Sequence, residues 1–459
     1  MSAIAKRSMT PMEAERYLLS LELFGMRFGL DRMRRLMTAL RHPELRFQSI
    51  HVVGTNGKSS TVRMIASILS HHGLRSGAYL SPHLVSFGER VRIGDEDVAP
   101  SAFAAAVQRA YRAAELVNRS LSGEDRVTQF EALTAAAYDE LARREVEVAV
   151  IEAGLGGRYD ATNVIPSRVQ VLTSVGLEHT RWLGPTIEAI AAEKLDVVQP
   201  GGSLVLAAGL HQDAVAVAQR VAAARGAEIV RAGADPGVPL VALGSFQRRN
   251  FALAMAAAQA YLGELDAAAV GRAAAEVLVP GRLQVVGEAP LTLLDGAHNP
   301  DGMTALAESL PEICAGRKNL VAVVSILDDK DAAGMLAALL ASCDRLVLTS
   351  SQNPRALPPP TLASLAEQLK GPPAEIVPRP GAALERARAG RTRWRRPRHG
   401  FDLPDRRPRA TRWSRTRVDA LNDDEQPRFL PMIGLVALIV AMVILVFFGI
   451  GYLFARVFL

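Results

Sequence analysis

Short apolar runs alternate with longer amphipathic stretches along the first half of the chain. The run SIHVVGT (49–55) is followed by the helical pattern TVRMIASILSHHG (61–73). Two further apolar runs are VEVAVIEAG (146–154) and VQVLTSVGLEH (169–179), the second preceding IEAIAAEKLDVV (187–198). Apolar runs of this length between Gly-rich turns predict buried parallel strands. The strand–loop–helix order predicts an α/β doubly wound sheet of the P-loop type, with ligand-binding loops at the carboxyl ends of its strands.

A second, smaller Rossmann-like α/β unit is predicted to begin near residue 288. Its predicted strands and late helix are PLTLLDGA, NLVAVVSIL, DRLVLTSS and AALERARA. The segment VPGRLQVVG (279–287) is predicted to connect the two units. We therefore predict a first domain over 1–285 and a second over 286–390.

The pattern changes after Ala389. Residues 391–417 carry eleven arginines against two aspartates, within a predicted linker over 391–430. Residues 432–454 contain no charged side chain, and about 20 apolar residues suffice to span a bilayer as a helix. We predict a C-terminal transmembrane helix over 431–455, with the basic linker on the inner side of the plasma membrane.

Charge and cysteine content narrow the classes of function. The total charge is +6, so the arginine-rich segment accounts for all of the positive excess and the remainder is mildly acidic. No nucleic-acid partner is therefore expected. Cys314 and Cys343 are the two cysteines. Two cysteines make no disulfide framework, and the N-terminal residues show no secretory signal, so cytoplasmic catalytic domains are expected.

The strongest chemical motif is GTNGKSS (54–60), which ends a predicted strand and opens a predicted helix. Small residues let backbone N–H groups surround a phosphate, Lys58 can neutralise phosphate charge, and a hydroxyl of Ser59 or Ser60 can reach Mg²⁺. The spacing is shorter than in the common G-x-x-x-x-G-K-[ST] loop. An ordinary Gly-rich turn is the alternative.

Other motifs place single polar residues where strands are predicted to end. Glu152 follows an apolar run, where a charge needs a cation or a donor; a Mg²⁺ ligand is the natural role, and an N-cap or a structural ion pair is the alternative. His179 is a metal ligand or a structural histidine. Lys194 instead lies on a predicted helix, and taken alone it is interpreted as a solvated surface lysine. Asp295 could accept hydrogen bonds from a ribose or form an Asx turn before a helix.

Six motifs together resemble those of one family. GTNGKSS, YLSPHL, EAGLGGRYDATN, GLEHTRWLG, PGRLQVV and LLDGAHNPDGM occur in the order seen in the folylpolyglutamate synthase/dihydrofolate synthase branch of the Mur ligase superfamily. The resemblance extends from about Tyr17 to Ala389. It implies that 1–285 is an ATP-binding central domain and that 286–390 is a glutamate-ligase type domain.

The resemblance also implies roles for individual residues. Those matching ATP-binding positions are Gly54, Thr55, Asn56, Gly57, Lys58, Ser59, Ser60, Asn250, Arg282 and Asp295. Those matching Mg²⁺ ligands are Ser81, Glu152 and His179. Those expected to act in catalysis are Lys58, Lys194 and His298; Lys194 matches a lysine that is carbamylated in many members. Those matching pterin contacts are Thr128, Gln129, Phe130, Glu131, Tyr159, Asp160 and Ala161, together with residues near 25–28.

The implied activity is ligation of L-glutamate to dihydropteroate, to folate carboxylates, or to both, through an acyl phosphate. ATP, Mg²⁺ and a monovalent cation such as K⁺ are the expected cofactors, small molecules the expected partners, and a monomer the expected state. Two alternatives are a Mur-type peptidoglycan precursor ligase and a membrane-tethered inactive ligase-like protein. The chain departs from the family at Ser59, where glycine is usual, and after Lys194, where Leu-Asp-Val replaces the usual Ala-Gly-Ile.

The arginine-rich segment has two interpretations. The family's second domain ends with a strand resembling VTGSIYLIAD, and codons for residues 398–408 can encode that string when advanced by one base. We therefore predict a frameshift between about Ala389 and Arg417, either real or introduced by sequencing. A real frameshift would leave the second domain without its last strand. The alternative is a natural basic linker with affinity for anionic lipid.

Overall fold

The structure is a computed structural model, and it describes residues 8–21, 29–123, 125–317 and 319–389. The predicted linker and transmembrane helix lie outside these ranges, as do residues 25–28. Within the described part of the chain, no helix is long and apolar enough to cross a membrane.

The larger part of the molecule, called here the large lobe, runs from the first helix to the tenth. Its strands are β1 (Gln48–Val53), β2 (Ser76–Tyr79), β3 (Val91–Ile93), β4 (Glu96–Asp97), β5 (Val148–Glu152), β6 (Val169–Leu172), β7 (Ser203–Leu206) and β8 (Glu228–Arg231). Its helices are α1 (Pro11–Ser20), α2 (Asp31–Ala39), α3 (Lys58–His71), α4 (Pro100–Arg119), α5 (Gln129–Arg143), α6 (Thr180–Leu183), α7 (Ile187–Leu195), α8 (Gln212–Arg225), α9 (Ser245–Leu262) and α10 (Ala267–Glu276).

The strands of the large lobe form one sheet in the order β4-β3-β2-β5-β1-β6-β7-β8. All neighbouring strands are parallel except for the β2-β3 and β3-β4 pairs at one edge. Alternate residues of β5 enter different cores: Ala149 and Ile151 pack with α4 and α5, whereas Val148 and Val150 pack with α3, α9 and α10. Both faces of the sheet are therefore covered, which explains why its central strands read as continuous apolar runs.

The smaller part, called here the small lobe, contains the remaining described elements. These are β9 (Gln284–Glu288), β10 (Leu291–Leu294), α11 (Pro300–Ile313), β11 (Val321–Val324), α12 (Ala332–Leu340), β12 (Arg345–Leu348), α13 (Pro359–Gln368), β13 (Ala374–Ile376) and α14 (Pro380–Arg388). Strands β11, β12 and β13 form a parallel sheet in that order. The predicted α/β class is confirmed.

Two sequence-based expectations for the small lobe are wrong. The expected connector 279–287 contains β9, and β10 pairs antiparallel with β9 instead of joining the parallel sheet as its first strand. Only Ala289 and Pro290 separate the two strands, and so short a link allows an antiparallel hairpin but no parallel crossover.

The position expected for the GLEHT motif is also wrong. Strand β6 ends at Leu172, so Glu178 and His179 follow a loop and do not lie directly at a strand end. The chain leaves the sheet early because Thr173 and Ser174 turn their hydroxyls to the phosphate loop. Both hydroxyls donate to the Asn56 carbonyl, at 2.6 and 3.1 Å.

Candidate active site between the two lobes

The loop that connects β1 to α3 has the shape of a phosphate-binding loop. Gly57 lies at φ 85°, a conformation that favours glycine, directly before the first turn of α3. A Cβ at Gly57 would lie 2.7 Å from the Asn250 Oδ1 atom of α9. The open backbone and the helix N-terminus together present N–H groups to an anion.

Two lysines meet at this loop. The Lys58 Nζ atom donates to the carbonyl oxygens of Gly54 and Thr55, each at 3.1 Å, and Lys194 Nζ donates to the Gly54 oxygen at 2.9 Å. Lys194 is only 3% exposed, so the interpretation of a solvated lysine is wrong. Its burial, aided by the positive charge of Lys58, lowers the pKa of the Lys194 amine to about 7. A neutral amine at this position is therefore accessible near neutral pH.

A buried carboxylate faces the same loop. Glu152 is 1% exposed and accepts hydrogen bonds from the Ser59 hydroxyl at 2.9 Å and from the backbone N–H of Ser81 at 3.0 Å. Burial raises the pKa of the Glu152 carboxyl, while the charge of Lys58 opposes the rise. Ser59, the departure from the family pattern, thus contacts the predicted metal ligand directly.

The third predicted metal ligand, His179, is the N-cap of the short helix α6, has φ 54°, and also lines the cavity. Among the described residues, no group of three or more His, Cys, Asp or Glu side chains could by itself hold a metal ion. The three predicted ligands instead supply one carboxylate, one hydroxyl and one imidazole. This set fits Mg²⁺, which binds through one or two carboxylates and completes its shell with water and substrate phosphates.

The small lobe and its connection to the large lobe supply the opposite wall. Arg282, Asp295 and His298 line the same cavity as Lys58 and Glu152. The Asp295 carboxylate accepts from the backbone N–H groups of Leu283 and Ala297, both at 2.8 Å, so the expected Asx turn is present. Burial raises the pKa of Asp295. The cavity, of about 450 Å³, lies in the size range of small-molecule sites.

The residues predicted to contact a pterin are not brought into this cavity. Thr128 and Glu131 form a capping box at the start of α5, and the Glu131 carboxylate pairs with Arg32 at 3.0 Å. Asp160 is buried and accepts from the backbone N–H of Leu155 at 2.7 Å. Gln129 donates to the Leu18 carbonyl at 2.8 Å, and Ala161 is buried in the core.

Two members of that predicted set are placed differently. The Phe130 ring lies against Gly154, where a Cβ would come within 2.6 Å of the ring, so Phe130 borders the loop that follows Glu152. Tyr159 is 44% exposed and lines a separate cavity that also contains Arg34 and Arg158.

Sequence reasoning missed the contacts that join the lobes. Asn56 of the phosphate loop, Glu178 of the large lobe, and Asn299 and Lys330 of the small lobe form one hydrogen-bonded group. Asn299 lies in the predicted LLDGAHNPDGM motif, but its partners are far away in sequence. Its position directly before a helix indicates a helix cap, but not a contact with the other lobe.

Comparison with known proteins agrees with this geometry. Residues 281–393 match the family described as Mur ligase, glutamate ligase domain. The dihydrofolate synthase/folylpolyglutamate synthase of Mycobacterium tuberculosis is 35% identical over 385 residues, covering 75% of this chain and 78% of that protein.

Solved structures give the same result. The Mycobacterium tuberculosis folylpolyglutamate synthase complexed with ADP has a TM-score of 0.76 at 31% identity, covering 83% of this chain and 90% of that one. A bifunctional folylpolyglutamate synthase/dihydrofolate synthase from Yersinia pestis, complexed with AMPPNP and a Mn ion, has a TM-score of 0.72 at 29% identity, covering 84% and 93%. The resemblance drawn from the six motifs is confirmed, and the chain belongs to the dihydrofolate synthase/folylpolyglutamate synthase family.

Proposed function

We propose that this protein ligates L-glutamate to the carboxylate of dihydropteroate or of a folate, with cleavage of ATP to ADP and phosphate. One observation carries the proposal beyond family membership. A single cavity brings the phosphate loop, Lys58 and Glu152 of the large lobe opposite Arg282, Asp295 and His298. Such a cavity can hold a nucleotide and an acceptor carboxylate between two protein surfaces.

ATP is proposed to bind with its phosphates at the start of α3. The N–H groups of the loop and Lys58 would balance the phosphate charge. Among the described residues, the Lys58 ammonium donates only to carbonyl oxygens, so it can turn to a phosphate. Asn250 of α9 would bind the nucleotide beside the phosphate loop, and Arg282 and Asp295 would bind it from the opposite wall. His298 lines the same wall and is proposed to act close to the reacting groups.

Glu152 and the Ser81 hydroxyl, with His179, would hold Mg²⁺ next to those phosphates. When bound, Mg²⁺ supplies positive charge that offsets the charge of the transferring phosphoryl group. Lys194 Nζ lies 2.9 Å from the Gly54 carbonyl oxygen of the same loop, and its lowered pKa makes the amine available for carbamylation. Carbamylated Lys194 is the proposed contact to a second Mg²⁺ ion.

The proposed reaction has two steps. An oxygen of the acceptor carboxylate attacks the γ-phosphorus of ATP, forming an acyl phosphate and releasing ADP. The free α-amine of glutamate then attacks the acyl carbon, loses a proton, and expels phosphate as the amide forms. Activation is needed because a free carboxylate is a poor acyl donor. The protein contributes positioning across the cleft and charge neutralisation by Lys58.

The pterin end of the acceptor is proposed to lie beyond the nucleotide cavity. Phe130 borders the loop after Glu152, and Asp160 holds that loop through its bond to Leu155. Tyr159 offers an exposed ring on the same loop. These residues remain the proposed pterin contacts, with Thr128, Gln129, Glu131 and Ala161 forming their support.

The test is an assay of ATP-dependent glutamate incorporation with two acceptors, dihydropteroate and tetrahydrofolate. Product with either acceptor, accompanied by equimolar ADP, is the expected outcome, and the acceptor that reacts defines the activity. Lys58→Ala is the matched control and should lose turnover by at least about a hundredfold, since Lys58 is the cation held at the phosphate loop. No amide product with either acceptor would overturn the proposal.

A further inference from the structure

Asn299 occupies the point where the small lobe meets the phosphate loop. It is the N-cap of α11 and is 7% exposed. Its Oδ1 atom accepts from the backbone N–H of Gly302 at 2.8 Å and from Asn56 Nδ2 at 3.1 Å. Its Nδ2 atom donates to Asn56 Oδ1 at 2.9 Å and to Glu178 Oε2 at 3.0 Å. Every polar atom of this amide is thus engaged.

The partner Asn56 is itself fixed within the phosphate loop. Its backbone N–H donates to the Ser174 hydroxyl at 2.8 Å, and its carbonyl accepts from Thr173. The side chain of Asn56 is left to face Asn299. The two amides therefore form a reciprocal pair that links the loop to the first turn of α11.

The second partner, Glu178, adds a charged connection between the lobes. Its Oε1 atom lies 2.9 Å from Lys330 Nζ, and the two side chains are 13% and 14% exposed. The same oxygen lies 3.6 Å from His298 Nε2. A carboxylate of the large lobe thus meets an amide, an ammonium and an imidazole of the small lobe.

The chemistry of the amide separates two roles of Asn299. Capping α11 requires only an acceptor, which Asp or Ser provides as well as Asn. Bonding Glu178 and Asn56 Oδ1 requires a donor at the same side chain, which a carboxylate lacks. Helix capping alone therefore does not explain why an amide stands at this position.

We propose that Asn299 is a positioning residue that couples the small lobe to the phosphate loop, so that both walls of the nucleotide cavity are held in register. The expected loss of turnover rests on the proposed function, whereas the expected loss of ADP affinity does not. Asn299 acts through Asn56 and Glu178. Loss of its donor loosens the joint between the lobes while leaving each lobe folded.

The decisive variant is Asn299→Asp, which preserves shape and helix cap but places a carboxylate against Glu178. ADP affinity, measured by calorimetry, should fall by about tenfold, and turnover at saturating ATP should fall by a similar factor, because the hydrogen bond to the part-buried Glu178 carboxylate is lost. Asn299→Ser keeps a capping hydroxyl without adding charge, and should shift both values in the same direction. It serves as the second variant if the first does not fold.

The double variant Asn299→Asp/Glu178→Gln tests the contact itself. The glutamine amide can donate to the new carboxylate, so ADP should bind at least about threefold more tightly than to Asn299→Asp alone, a coupling that a double-mutant cycle isolates. The matched control is Asp266→Ser, the same kind of cap exchange on α10. Among the described residues, the Asp266 carboxylate accepts a hydrogen bond only from the backbone N–H of Ala268. It should leave ADP affinity unchanged.

Wild-type ADP affinity and turnover in both Asn299→Asp and Asn299→Ser would overturn the inference, since that result is expected of a helix cap alone. Strictly multiplicative effects of Asn299→Asp and Glu178→Gln would also overturn it. Calorimetry requires no ligation. A wild-type protein that binds ADP but forms no amide would therefore reject the proposed function without touching this inference.

Discussion

At the residue scale, two lysines share one carbonyl oxygen beside the phosphate loop. Lys58 and Lys194 both donate to Gly54 O, yet Lys58 is part-buried and Lys194 almost fully buried. Burying an ammonium group is costly, and the site relieves the cost by lowering the pKa of Lys194 to about 7. Lys194 therefore lowers the stability of the folded protein, and its amine is more readily neutral and reactive than that of an exposed lysine.

Replacing Lys194 by Met should abolish ligation but stabilise the fold in buffer free of CO₂. Between pH 7 and 10.5 the unfolded chain holds a proton that folded Lys194 has released, so wild-type stability rises with pH across this window. The variant lacks that slope. Its advantage should be on the order of a few kcal/mol at pH 7 and below, and should shrink towards pH 10.

Urea unfolding at pH 6 and pH 9.5 measures this difference. Exposed Lys370 provides the control, because Lys370→Met makes the same exchange at a solvent-exposed side chain. An equal shift of the Lys194→Met midpoint at both pH values would contradict a lowered pKa for Lys194.

Ser59 gives a second prediction at this scale. Its hydroxyl holds Glu152 Oε1 at 2.9 Å, so its loss frees the proposed Mg²⁺ ligand to rotate. Both Ser59→Ala and Ser59→Gly should raise the Mg²⁺ concentration for half-maximal activity by roughly tenfold, the usual effect of losing a partner of a metal ligand. Magnesium titrations at saturating ATP measure it, and an unchanged requirement in both variants would rule the role out.

At the scale of elements, the loop between β1 and α3 determines what the large lobe can bind. Gly57 has positive φ and faces Asn250 of α9 at a distance that leaves no room for a Cβ. The loop is thus shaped from two sides: by its own backbone and by a helix nearly 200 residues later. Helix α9 takes part in the site by packing against α3 as well as by supplying Asn250.

Gly57→Ala should therefore weaken ATP binding by at least about tenfold, because both the backbone strain and the Asn250 contact distort the loop. Gly226→Ala is the matched control: Gly226 ends α8 at φ 60°, and a Cβ there would contact nothing within 4 Å. The control should lose about 1 kcal/mol of stability and no nucleotide affinity. Equal ATP affinity in wild type and Gly57→Ala would contradict the proposed phosphate site.

The elements also show where sequence reasoning succeeded and failed. The loops holding Lys58 and Glu152 could be predicted because a buried strand that is followed by glycine and a charged residue usually leads into a ligand-binding loop. The β9–β10 hairpin and the early end of β6 could not, since both depend on partners chosen in three dimensions. The bonds from Asn299 to Asn56 and Glu178 span 243 and 121 residues, with no local pattern to announce them.

At the scale of the whole molecule, the ligase signature and the arginine-rich segment meet at one place. The glutamate ligase domain match ends at residue 393, within the region where a frameshift is predicted. Trypsin should release residues 399–406, HGFDLPDR, from a chain translated as printed. If the frameshift arose in sequencing, mass spectrometry of the natural protein will lack this peptide and resequencing will change the reading frame. Detection of the peptide with an unbroken gene would exclude a sequencing error and leave a real frameshift or a natural basic linker.

The central claim is that the cavity between the lobes activates the acceptor carboxylate with ATP. Acceptor labelled with ¹⁸O in both oxygens of the reacting carboxyl tests it most directly, because attack on the γ-phosphorus transfers one labelled oxygen to phosphate and leaves the other in the amide. We predict one ¹⁸O in the inorganic phosphate for each amide formed, and none with Lys58→Ala. Amide formation with unlabelled phosphate would contradict the account.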